Sequence, residues 1–224
     1  MKPVLVLLPG MDGTGELFAP FIAALGDAFE VRVVRYPGRD CGEYQELEAF
    51  VWPAIPEDRP FVLLGESFSG PIAMSIAASA PEQLRGLVLC CTFARSPRPK
   101  LAAMKALIDV IPFKFLPSGW LVGANMRAAF RHALSQVTSA ALRARMRAVL
   151  AVDARDKLAA CEIPILYLRA TRDKLVPRAS GDLVAATVPA TIMVEFDAPH
   201  FLLQAVPEQA AREVAAFVQL NARR

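Results

Sequence analysis

The stretch Phe61-Val62-Leu63-Leu64-Gly65-Glu66-Ser67-Phe68-Ser69-Gly70-Pro71-Ile72-Ala73 decides how the rest of the chain is read. An apolar run meets a glycine, a serine follows two residues later, and small residues then open a segment without charge until Glu82. The pattern predicts a buried strand that turns abruptly into a buried helix with a serine at the apex. Backbone at such an apex is crowded, so the positions two residues either side of Ser67 must be small. Gly65 meets this requirement fully and Ser69 approximately, and Gly70 allows the helix to pack closely on the strand.

Working outward, Val4–Leu8 is a continuous apolar run of the kind shown by a parallel strand buried on both faces. The turn after it, Pro9-Gly10-Met11-Asp12-Gly13-Thr14-Gly15, is rich in glycine and leads into a helix over 17–25. Two nucleotide-binding readings fail there. A phosphate-binding loop needs lysine and then serine or threonine after Gly15, where Glu16 and Leu17 stand, and a dinucleotide fingerprint from Gly13 needs glycine at Phe18. Strands are expected at 31–34, 86–91, 163–168 and 191–194, with helices over 43–52, 69–80 and from Pro207 onward. Six strands alternating with helices imply an α/β fold with a mostly parallel central sheet covered on both faces.

Between 95 and 150 the alternation stops. Helical patterns run over 101–111, 126–136 and 139–150, broken by Pro112, Pro117 and Gly119. Ten basic residues stand there against Asp109 alone, a charge of +9, which leaves −6 for the remainder of a chain whose net charge is +3. These side chains are expected either to be solvated, pairing with the acidic body, or to meet an anionic substrate handle or carrier. Nucleic acid is not expected, since the segment lacks an aromatic or groove-reading pattern.

At 224 residues the chain fits one domain carrying an insertion. Hydrophobic residues make up 54% of it, yet no apolar run approaches the roughly 18 residues of a membrane span, so that content goes to buried strands and an apolar pocket. The run after Lys2 stops at Pro9-Gly10 without a cleavage pattern and reads as a strand rather than an export signal. Cys41, Cys90, Cys91 and Cys161 show no framework spacing, which points to reduced thiols in a cytoplasm. With two histidines and no His/Cys cluster, no metal site is expected.

The Gly65-Glu66-Ser67-Phe68-Ser69 turn resembles the Gly-x-Ser-x-Gly nucleophile elbow of the α/β-hydrolase superfamily, with serine for the second glycine. Pro9-Gly10-Met11 is similar to that family's His-Gly-x turn, Asp173-Lys174-Leu175-Val176-Pro177 to its Asp-x-x-Val-Pro loop, and Pro199-His200-Phe201 to its histidine loop. The resemblance implies a core of residues 1–94 and 151–224, a helical lid over 95–150, and a compact member whose first strand is the family's third. It also implies the order serine, acid, histidine, hence Ser67 as nucleophile, Asp173 as orienting acid and His200 as base. The backbone amides of Met11 and Phe68 are then the expected oxyanion donors. Asp197, three residues before His200, is the alternative acid. A serine hydroxyl is a poor nucleophile until a neighbouring base takes its proton, which is why three residue types on three loops are needed. The implied activity is hydrolysis of small or medium carboxylic esters, without a cofactor. The alternatives are a thioesterase or acyltransferase using an anionic carrier, and a ligand receptor with a vestigial triad.

Overall fold

A computed structural model describes residues 2–39, 41–99 and 126–221. Six parallel strands form one sheet: β1 (Val4–Leu8), β2 (Glu30–Val33), β3 (Phe61–Glu66), β4 (Leu84–Cys90), β5 (Ile165–Ala170) and β6 (Ile192–Phe196), in the spatial order β2-β1-β3-β4-β5-β6. The last two strands start later than the sequence pattern suggests. Pro164 has no amide to give to the ladder, so β5 begins beyond it.

Alternate residues of each strand feed two separate cores, as a period of two requires. Val4, Val6, Leu8, Leu63, Leu87 and Leu89 pack on one face, against helices α2 (Tyr44–Glu48), α3 (Gly70–Ala78) and α6 (Arg155–Ala159). Leu5, Leu7, Val62, Leu64, Val88 and Leu168 pack on the other, against α1 (Ala19–Leu25) and α9 (Pro207–Asn221). Both faces of the central strands are therefore dry. Helix α2 is shorter than the 43–52 expected, because Pro53 tightens the chain into a 3-10 turn over Trp52–Ala54.

Helices α4 (Arg127–Ser135) and α5 (Ser139–Ala151) precede α6 between β4 and β5. The chain leaves and re-enters the sheet layer side by side: Arg95 and Asp153 form an antiparallel bridge, Ala154 N donates to Ala94 O, and Ser96 N to Val152 O. The helix expected over 101–111 lies outside the described residues. Helix α7 (Arg178–Thr187) lies between β5 and β6, and α8 (Leu202–Ala205) precedes α9. Among the described residues no helix is long and apolar enough to cross a membrane.

The strand order reverses between β1 and β3, since the chain steps from β1 to β2 on one side and then to β3 on the other. Open parallel sheets bind ligands at the carboxyl ends of the strands flanking such a reversal. Here those ends are Pro9-Gly10-Met11 and Glu66-Ser67.

Candidate active site

Ser67 sits at the apex between β3 and α3 with φ 50°, in the left-handed region that a residue with a Cβ rarely adopts. Close approach enforces the turn. A Cβ at Gly65 would lie 2.8 Å from the Ala73 Cβ and 3.0 Å from the Ser69 carbonyl oxygen. From the far side, Thr92 Oγ1, just beyond β4, donates to the Ser67 carbonyl, and the Tyr167 hydroxyl on β5 donates to the Thr92 carbonyl at 2.6 Å. Three neighbouring strands thus hold one strained residue, and its hydroxyl faces the cavity.

Ser67 Oγ lies 2.8 Å from His200 Nε2, and His200 Nδ1 lies 2.7 Å from Asp173 Oδ2. The other carboxylate oxygen, Oδ1, accepts the amides of Leu175 and Val176 at 2.8 and 2.9 Å, which fixes the carboxylate plane. Because a carboxylate only accepts, Nδ1 carries the proton and Nε2 presents its lone pair to the serine. The side chains of His200 and Asp173 are 7% and 6% exposed, so water competes little for either bond. Asp197 is elsewhere: its carboxylate is exposed and takes Arg172 Nε at 2.6 Å.

Phe68 falls in the 3-10 turn Ser67–Ser69 that opens α3, where first-turn amides lack an intrahelical acceptor. Met11 lies in the turn closed by Gly13 N donating to Gly10 O at 3.0 Å, and both residues line the same cavity as Ser67 and His200. That cavity measures about 520 Å³ and is walled by Phe93, Phe130, Leu134, Val149, Leu175 and Phe201. Phe130 of α4 meets Phe201 edge to face, and Phe201 in turn meets the His200 ring. His132, on the same helix, is exposed and 3.6 Å from Glu16.

Beside the nucleophile, Glu66 is buried with its Oε1 accepting Gln204 Nε2 at 3.0 Å. Burial pushes its carboxyl up to about 7, with the Asp12 carboxylate adding to the rise and the Gln204 bond and His200 opposing it. Among the described residues, Cys91, Asp173 and His200 bring three metal-ligating atoms within 4.8 Å of one another. Asp173 and His200 already spend those atoms on each other, on Ser67 and on two amides.

The sequence profile of the Alpha/beta hydrolase family matches residues 5–217. The chain belongs to that family. Its relatives include the pimeloyl-[acyl-carrier protein] methyl ester esterase of Aeromonas hydrophila, 27% identical over 246 aligned residues that cover 96% of this chain and 95% of that protein. Phytyl ester synthase 1, chloroplastic, of Arabidopsis thaliana is 32% identical over 119 residues, a match covering 49% of this chain and 16% of that longer protein. A crystal structure of a hydrolase from Pseudomonas aeruginosa PA01 shares the fold with TM-score 0.79 at 24% identity, covering 97% of this chain and 90% of that one.

This alpha/beta hydrolase also uses residues that sequence reasoning missed. Ser69, which stands where the elbow pattern has glycine, is fully buried; it donates to the Pro9 carbonyl and accepts from the Tyr36 hydroxyl at 2.8 Å. The departure from glycine was itself the signal. Arg145 is the second case. It belongs to the basic segment expected either to be solvated, pairing with the acidic body, or to meet an anionic handle or carrier, yet it is 0% exposed and its guanidinium bonds backbone carbonyls. Ala141, Leu142, Arg145 and Ala148 recur at helical spacing on the buried face of α5, so the apolar stripe running through Arg145 was the readable sign.

Proposed function

We propose that this chain is a serine hydrolase that cleaves carboxylic esters of small to medium acyl groups through an acyl-enzyme, without a cofactor. The Ser67–His200–Asp173 hydrogen-bond series on the floor of an apolar cavity carries the proposal. Ser67 Oγ attacks the ester carbonyl as its proton passes to His200 Nε2, and Asp173 holds the imidazole and offsets its charge. The amides of Met11 and Phe68 receive the oxyanion. His200 then returns the proton to the departing alcohol, and a water activated by the same base releases the acid and restores Ser67. The segment 95–150 acts as a lid over a core of 1–94 and 151–224. Its α4 and α5 residues Phe130, Leu134 and Val149 wall the acyl cavity. The free thiols at Cys41, Cys90, Cys91 and Cys161 suit a cytoplasmic enzyme.

A second reading, thioester or ester cleavage or acyl transfer on an anionic acyl carrier, is favoured by the +9 charge of 95–150 and by the relative named for a carrier-linked ester. A series of p-nitrophenyl esters from acetate to decanoate tests the main proposal. The expected result is a burst of about one equivalent of nitrophenol followed by slower turnover, with kcat/KM greatest for chains that fill the cavity. Absence of turnover across the series would leave the receptor reading standing. For the second reading, kcat/KM on a neutral ester and on the same acyl group attached to an acidic carrier should diverge as salt is lowered. Arg143→Ala with Arg147→Ala should shrink that gap. An equal salt response for both substrates contradicts the second reading.

A further inference from the structure

Four successive carbonyls, from Pro9 to Asp12, leave the end of β1, and each has an assigned donor. The Pro9 carbonyl takes the Ser69 hydroxyl, and the Gly10 carbonyl takes the Gly13 amide at 3.0 Å. Those of Met11 and Asp12 take Nη1 of Arg145, at 2.8 and 3.0 Å. Because a trans peptide holds its N–H opposite its C=O, fixing a carbonyl fixes the direction of the following residue's amide. The Met11 amide shares its peptide plane with the Gly10 carbonyl, which the Gly13 amide holds; the Gly13 amide in turn shares its plane with the Asp12 carbonyl, which Arg145 of α5 holds from more than 130 residues away.

The surroundings of Arg145 are built around it. Nη2 donates to the Pro37 carbonyl at 2.7 Å, and Cζ stands 5.8 Å from the centre of the Tyr36 ring, whose hydroxyl reaches Ser69. A Cβ at Gly13, where φ is 73°, would come within 2.6 Å of Nη1. Burying a guanidinium takes its charge out of water, and that burial pulls its pKa down from the ordinary value. A residue serving stability alone would be better replaced by an apolar side chain of the same volume. Nε has no hydrogen-bond partner among the described residues, so the site is shaped for the two terminal nitrogens and the carbonyls they hold.

We infer that Arg145 is a positioning residue for the oxyanion turn, so that helix α5 of the inserted segment steadies the Met11 amide through the Asp12 carbonyl, the Gly13 amide and the Gly10 carbonyl. The inference rests on the serine-hydrolase reading above. It sets Arg145 apart from the exposed Arg127, Arg131 and Arg147 of the same segment. Lysine is no substitute, since a single ammonium cannot span the carbonyls of Met11, Asp12 and Pro37 with the fixed fork of a guanidinium.

The test measures Arg145→Met, Arg145→Lys and, as a control at an exposed arginine outside the cavity lining, Arg212→Met of α9. Each is assayed for kcat and KM on p-nitrophenyl butyrate and for inhibition by an alkyl trifluoromethyl ketone, which binds serine hydrolases as an oxyanion. Arg145→Met should lose about 10²-fold in kcat with KM within about 3-fold of wild type, as removal of an oxyanion donor does. Inhibitor affinity should fall in proportion to kcat, Arg145→Lys should be intermediate, and Arg212→Met unchanged. If Arg145→Met shows no cooperative thermal transition, Arg145→Lys decides by the same ratios. A folded Arg145→Lys with wild-type kcat overturns the inference. So does a loss that falls equally on KM and kcat with the inhibitor-to-substrate affinity ratio unchanged, which marks general loosening of the cavity. Wild-type protein that fluorophosphonates fail to label at Ser67 overturns the parent reading as well, whereas labelled wild type beside an unaffected Arg145→Lys overturns this inference alone.

Discussion

The elbow after β3 and helix α5 bear on the same few atoms, and they do so by opposite means. At the elbow the constraint is local and steric: Gly65 must admit Ala73 and Ser69, and Ser67 must accept a φ of 50°. At α5 the constraint is long-range and electrostatic, one buried guanidinium holding three carbonyls from two distant loops. Local sterics leave a pattern in adjacent residues. A tertiary contact of this kind leaves only an arginine on an apolar stripe. A site can therefore be half visible in its sequence, with the visible half being the part that folds on itself.

The sharpest way to break the comparison lies on the elbow side. Ser67→Ala should lower kcat on esters by on the order of 10⁶ if the three residues act as a unit, while thermal unfolding stays cooperative because alanine fits the apex. Residual activity above about a tenth of wild type would contradict the assignment. Next in size, Asp173→Asn should lose on the order of 10²-fold or more in kcat, because an amide cannot hold the imidazole in the required tautomer. Asp197→Asn should stay within about 3-fold, since that carboxylate faces Arg172. Steady-state kinetics of the pair would show the reverse ranking if Asp197 were the acid.

Glu66 sharpens the comparison through pH. Its carboxyl rises from 4.5 to about 7 in the folded chain, so the folded state holds the proton more tightly than the unfolded state. The stability this contributes is complete below pH 4.5, is lost as pH rises towards 7, and is absent above. The loss is on the order of 3 kcal/mol, with the Asp12 carboxylate, the His200 ring and the Gln204 amide facing the Glu66 carboxyl. Urea titrations of wild type and Glu66→Gln should show the variant gaining on wild type between pH 5 and 8. A difference independent of pH would contradict a buried titrating carboxyl.

The smallest effect is expected at Ser69. Ser69→Ala removes the donor to the Pro9 carbonyl and should cost about 10-fold in kcat and about 1 kcal/mol in stability, with KM unchanged. Ser69→Gly, which restores the family's usual residue, should do no better. A glycine variant with wild-type kcat would show the hydroxyl to be idle.

The six strands and their parallel order were legible because each is a short, nearly continuous apolar run between turn residues, and alternation with helices leaves few topologies. Boundaries were less so: Pro164 delays β5 and Pro53 shortens α2, local effects that periodicity does not register. Within the site, Ser67, Asp173 and His200 could be named because each follows a strand within a recognisable loop, and the structure brings them within hydrogen-bond distance of one another. Thr92, Tyr36, Gln204 and Arg145 could not be named. Their contacts span 25 to 138 positions of chain and depend on packing, which no short pattern encodes.

An activated serine reacts with phosphorus electrophiles at rates an ordinary hydroxyl never reaches, which makes one measurement decisive for Ser67. The wild-type chain is treated with a fluorophosphonate beside His200→Ala, and the modified peptide is located by mass spectrometry. The account predicts stoichiometric, time-dependent phosphonylation of Ser67 in wild type and a loss of rate of at least about 10³-fold without His200. Absence of labelling, labelling at another serine, or an equal rate in His200→Ala would contradict it.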